Sequence, residues 1–138
     1  MTYPVVFNAE IESADIRFDR GFILTCWITL KWEDAGQGIG GYVLGGSPFD
    51  ETAACAAHQD QPNLAADFIG GMMAVGGVEK FSDLKGKIVR VGKSSEWGDI
   101  VALGHPVKDR WYEPKERFCF LLNSRDADAK GGSAETSK

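Results

Sequence analysis

The richest chemistry in the chain is concentrated in Gly104-His105-Pro106-Val107-Lys108-Asp109-Arg110-Trp111-Tyr112-Glu113-Pro114. Adjacent Arg110 and Trp111 can lay an indole on a planar ring while the guanidinium meets a phosphate. Arg90 and Lys108 add cations to the same basic stretch, and Phe81 and Trp97 add stacking surfaces. Together these side chains make a candidate nucleotide pocket, with the aromatics on a base and Arg90, Lys108 and Arg110 on phosphate. The run Gly36-Gln37-Gly38-Ile39-Gly40-Gly41 is a second contributor, because Gly38 and Gly40 let a ligand or another backbone come close. A structural reading competes with this one. In it Trp111 is buried, Arg110 pairs with Asp109 or Glu113, and the lysines form a solvated face.

Catalytic and metal-binding readings have less behind them. The glycine run matches G-x-G-x-x-G, but a dinucleotide fingerprint opens a helix directly after the glycines. Here Tyr42-Val43-Leu44 is strand-like and Gly45-Gly46-Ser47-Pro48 is a turn, so the run reads as a glycine-rich turn or bulge. Cys55-Ala56-Ala57-His58 offers a Cys and a His, whereas a structural zinc needs four ligands. His105 with Asp109 or Glu113 is the acid-base pair of a small enzyme, provided that a partner is held against the imidazole. Asp99, Glu113 and Lys115 resemble the set of a metal-dependent nuclease, but Pro114 interrupts the strand such a site would use. No serine or cysteine has a nucleophile-elbow context. The expectation is binding without catalysis, with no metal and no cofactor.

Composition narrows the partners. The chain has 138 residues, 43% hydrophobic and 25% charged, enough for one core. Its net charge of -5 is unevenly spread. Residues 1–79 hold three basic and eleven acidic residues, and residues 80–117 hold nine and six. An acidic body disfavours general nucleic-acid binding, which depends on neutralising phosphates, and leaves room for a local site for a small anion. Three widely spaced cysteines fit a reducing compartment. Neither a signal peptide nor a run of ~20 apolar residues is visible, so a soluble, cytoplasmic protein is expected.

These side chains need a scaffold, and its elements are legible. Phe22, Leu24, Cys26, Ile28, Leu30 and Trp32 fall at every second position, which means a strand with one buried face. Trp27 lies on its mixed face and is an interface candidate. Ile16 and Phe18 alternate with charges before Asp19-Arg20-Gly21, so residues 5–32 read as an antiparallel hairpin, with a bulge near Ser13-Ala14 to restore the apolar parity. Tyr42-Val43-Leu44 reads as a third strand. Asn63 caps a helix carrying Leu64, Phe68, Ile69, Met72 and Met73, stopped by Gly76-Gly77; its Gly70-Gly71 pair implies close packing on a sheet or another chain. Lys87 to Val91 and Asp99 to Leu103 form a second hairpin. Pro114 opens a short final helix, with a strand through Phe118-Cys119-Phe120 as the alternative. The expected fold is α+β: an antiparallel sheet of hairpins, one principal helix packed on it and a short C-terminal helix. One domain spans 1–124, and 125–138 lacks large apolar residues and reads as a disordered tail.

With these motifs in hand, the chain resembles a family of short, largely uncharacterised bacteriophage and prophage proteins. The likeness runs through Ile11-Glu12-Ser13-Ala14, Arg20-Gly21-Phe22-Ile23-Leu24-Thr25, Gly36 to Leu44, Phe68-Ile69, and Gly104-His105 to Asp109-Arg110-Trp111. It covers roughly residues 9–117. The resemblance implies a viral origin, and small phage proteins without catalytic motifs often counter host immunity. The function expected on this basis is anti-defence: a homo-oligomer that sequesters a small nucleotide-derived immune signal of the host in its cytoplasm. The alternatives are a protein-protein inhibitor that docks its acidic surface on a host defence enzyme, and a small enzyme that degrades the signal.

Overall fold

The frame is one long strand shared by two hairpins. In the computed structural model, which describes residues 3–47, 49 and 63–123, β1 (Val5–Asp19) pairs antiparallel with β2 (Ile23–Trp32) over its second half. Over its first half it pairs with β5 (Ile88–Lys93), from Val5↔Lys93 to Glu10↔Ile88. The turn into β2 places Arg20 and Gly21 at φ 55° and 80°, and the Phe22 N–H donates to the Asp19 carbonyl at 3.2 Å. Two positive φ values in succession give the hairpin turn whose twist matches the strands. The register of β1 on β2 shifts between Ile11 and Ser13. This bulge carries Ile11 and, beyond it, Ala14 and Ile16 to the face that holds Cys26, Ile28 and Leu30.

The glycine run is a strand rather than a turn. β3 (Ala35–Gly40) pairs with β2 from Trp32↔Ala35 to Trp27↔Gly40. Trp27 explains how so poor a strand former is held. Its indole lies across the glycines, so that a Cβ on Gly38 would stand 3.2 Å from its Cε3 and one on Gly41 2.4 Å from its Cζ2. Gly40 (φ 138°) and Gly41 (φ 76°) then turn the chain away. Tyr42-Val43-Leu44, expected as a strand, is for that reason the detour between β3 and β4 (Gly45–Gly46), which rejoins β2 at Leu24 and Ile23.

The principal helix α1 (Leu64–Gly76) begins where Asn63 Oδ1 accepts the Ala66 N–H at 2.9 Å and ends on left-handed Gly77. Phe68, Met72 and Val75 seat it on the sheet, where they join Ile11, Ile28, Leu30, Val89, Val91 and Leu103 in one core. A short 3-10 turn (Phe81–Asp83) leads through buried Leu84 to β5. β6 (Ile100–Gly104) closes the second hairpin, and Trp111–Tyr112, read from sequence as part of a loop, forms β7 on its far side. Residues 114–123 are the helix α2 with Pro114 first, so the alternative strand through Phe118–Phe120 is not formed. Cys55, His58 and the tail from 125 lie outside the described residues.

The sheet order is β3-β2-β1-β5-β6-β7, with β4 beside β3 on β2. Every pairing is antiparallel, so β3 and β6 run in the same direction. The sheet curls until these two strands face one another. A side-chain bond crosses from β3 to the residue before β6, from Gln37 Nε2 to Asp99 Oδ1 at 3.4 Å. The result is a curled sheet with a seam between β3 and β6. Among the described residues no helix is long and apolar enough to cross a membrane.

Candidate functional site

The structure divides the sequence-derived site residues among three places. Arg90, Lys108, Arg110 and Trp111 come together at the β6–β7 corner. There the Arg90 guanidinium donates to the carbonyls of His105 (2.6 Å) and Lys108 (2.7 Å), and Arg110 Nη1 donates to the Ala74 carbonyl at the end of α1 (3.3 Å). Trp111 rests on Gly92 and Gly104, 4.8 Å from the Tyr3 ring and 4.8 Å under the Arg90 guanidinium. Two guanidiniums thus tie down a loop and an indole fills the gap above two glycines. Arg110 pairs with neither Asp109 nor Glu113.

His105 is part of the same scaffold. Its Nδ1 accepts the N–H groups of Val107 (3.1 Å) and Lys108 (3.0 Å), which fixes the turn. Desolvation, followed by the charges of Lys108, Arg110 and Arg90, lowers its pKa. Glu113, the distant partner of the acid-base reading, instead accepts the Tyr3 hydroxyl at 3.2 Å. Phe81 is partly buried and packs against the core.

Trp97 belongs elsewhere. It sits in the β5–β6 loop, 93% exposed, and faces the seam. One half of the seam is a cleft of about 620 Å³ walled by Phe7, Trp32, Gly36, Gln37, Lys93 and Trp97. The other half, about 410 Å³, is walled by Trp27, Gly38, Gly40, Tyr42 and Lys115. Gln37 and Asp99 line both halves and mark the boundary between them. Lys93 is 7% exposed; its ammonium donates to the Glu96 carbonyl at 3.1 Å and lies 5.9 Å from the Trp32 ring, which in turn packs on Phe7 at 4.7 Å. Burial, then the charges of Asp99 and Glu113, raise the Tyr42 hydroxyl pKa.

The seam therefore gathers Trp27, Trp32 and Trp97, the glycine strand, two lysines and an amide-carboxylate pair. Chemically it can stack a flat ring and read its edge by hydrogen bonds. Sequence reasoning had Trp97, Gly38 and Gly40 among its candidates but assigned them to the Arg110–Trp111 corner. It passed over Trp32, Gln37 and Lys93 as site residues. The available signal was the spacing of glycines opposite Trp27, which pays off only once the register of β3 on β2 is known. Among the described residues no group of three or more His, Cys, Asp or Glu side chains is placed to hold a metal ion.

Fold and site together define a small α+β domain with a curled antiparallel sheet and an aromatic seam. Comparison with protein-family models, curated proteins and solved structures finds no match to this chain.

Proposed function

We propose that this protein is a non-enzymatic binding protein that takes a small nucleotide-type ligand into the β3–β6 seam. One observation carries the reading: Trp97, 93% exposed, stands at the mouth of a cleft that also holds Trp32 and a buried lysine. An indole left so open, beside hydrogen-bonding groups, is a stacking platform. The connectivity supports it. Three antiparallel strands, a helix and a hairpin that returns to the first strand, with β3 facing β6 across a gap, follow the plan of the OB-type barrel. Such barrels take up oligonucleotides and oligosaccharides on their second and third strands and in flanking loops. Trp27, the glycine strand and the Trp97 loop occupy those positions here.

The charges in the seam balance, with Lys93 and Lys115 set against Glu96 and Asp99. Stacking and hydrogen bonds, more than phosphate neutralisation, would hold the ligand, in keeping with an acidic chain. On the likeness to phage proteins, the ligand is a nucleotide-derived signal of the host and the task is its sequestration as an anti-defence step. His105, whose Nδ1 is taken up by its turn, does not line the seam. To test this, the protein is incubated with a panel of signalling nucleotides, recovered by filtration and heated, and both fractions go to mass spectrometry. Depletion followed by intact release supports sequestration; an altered product would overturn the non-enzymatic reading.

A second reading has an observation of its own. Ile16 and Phe18 are about half exposed at the end of the β1–β2 hairpin, between Asp15, Arg17 and Asp19. An apolar patch within an acidic rim suits a protein-protein inhibitor of a basic host enzyme. Capture of such an enzyme that weakens with salt, together with no nucleotide depletion, would favour it.

A further inference from the structure

Resting on the seam reading above, we infer that the Gln37–Asp99 pair makes the site selective for guanine. Asp99 lines both halves of the seam and lies two residues beyond Trp97. It is exposed, forms no ion pair among the described residues, and its bond to half-buried Gln37 is long, at 3.4 Å. The orientation of Gln37 follows from chemistry: an ionised carboxylate can only accept, so the amide must turn its NH2 toward Asp99. Beyond that bond the pair offers one amide N–H and two carboxylate oxygens, a donor followed by two acceptors.

Among the common bases, guanine alone has the complementary row on its pairing edge: O6 accepts, and N1–H and the exocyclic amine donate. Adenine and cytosine place a ring acceptor beside their amine, where it would oppose a carboxylate oxygen. Uracil has a single N–H between two carbonyls. With the base stacked on Trp97, Gln37 would donate to O6 while Asp99 takes both N–H groups. A bidentate contact of this kind discriminates between bases by about 5- to 150-fold.

The test is an NMR titration of the whole chain, which reads weak affinities, with GMP, AMP, CMP, UMP and inosine monophosphate. The expected order places GMP first, with inosine monophosphate, which lacks the amine, about 5-fold or more weaker. Asp99→Asn should bring GMP down to the level of the others. Gln37→Leu should weaken GMP and inosine monophosphate alike. Both side chains are on the surface, and an unchanged dispersed spectrum verifies the fold of each variant. Equal, Trp97-dependent binding of all five nucleotides would overturn guanine selection and leave the seam reading standing. Retained GMP preference in Asp99→Asn would overturn the assignment to Asp99. Failure of all five to bind would overturn the seam reading and this inference with it.

Discussion

Two neighbouring glycines of α1 should respond to the same substitution with opposite signs. A Cβ built on Gly70 meets nothing within 4 Å, so Gly70→Ala should stabilise by about 1 kcal/mol through helix propensity alone. A Cβ on Gly71 would stand 2.3 Å from Tyr112 Cδ1 and 2.4 Å from its Cε1. Ordinary carbon contacts are about 3.5–4.0 Å, so the ring must retreat by more than an ångström. That ring is anchored, because its hydroxyl donates to Asp67 Oδ2 at 2.6 Å and it meets Phe68 edge-on at 6.1 Å. Overpacking costs about 1–3 kcal/mol, and losing a hydrogen bond to a charged group about 1.5–3 kcal/mol. Against the propensity gain, Gly71→Ala should destabilise by about 2–4 kcal/mol. At roughly 4 °C per kcal/mol for a chain of this size, Tm falls by about 8–16 °C, whereas Gly70→Ala raises it by about 4 °C. Thermal melts by far-ultraviolet circular dichroism read both. A Gly71→Ala variant that melts at or above the parent would refute the seating of Tyr112 on α1.

Asp67 accepts from Tyr112 and from Arg117 (2.8 Å). Burial raises its pKa, but the bonds from Arg117 and Tyr112 outweigh that and hold it below the ordinary carboxylate value. A depressed folded pKa gives stabilisation that is complete above the unfolded value of about 3.9 and is lost as pH falls through the folded one. Asp67→Asn should therefore flatten the loss of stability in urea melts taken across that acid range. Trp111→Ala should destabilise by about 2–4 kcal/mol through lost packing, without altering nucleotide affinity, whereas Trp97→Ala should leave Tm within about 1 °C and abolish binding. Burial, with the Asp15 charge, pushes the Cys26 thiol up to about 12, while Cys119 is exposed. A thiol reagent followed by peptide mapping should label Cys119 and spare Cys26 until the chain unfolds.

Much of the scaffold could be read from the chain because local rules and the tertiary structure agree. The alternation from Leu24 to Leu30, the bulge before Ala14, the Asn63 cap and the Gly77 stop each follow from periodicity or backbone geometry. Sequence and structure differ where a distant residue decides the outcome. Glycines make poor strands, and β3 exists because Trp27 covers Gly38 and Gly41. Trp111 and Arg110 lie side by side in sequence, yet Gly92, Gly104 and Ala74 claim them from other elements. Sequence proximity groups Arg110 with Trp111, whereas curling of the sheet brings Asp99 to Gln37, 62 positions upstream, with Trp97 lining the same cleft.

On the proposed function, ligand enters the β3–β6 seam. The most direct test is to assign the backbone amides and titrate with GMP, following which of them shift. Binding at the seam predicts saturable shifts concentrated at Gln37, Gly38, Lys93 and the 96–99 loop, absent in Trp97→Ala. Shifts centred instead on Arg90, Lys108 and Trp111, or none at saturating nucleotide, would contradict it.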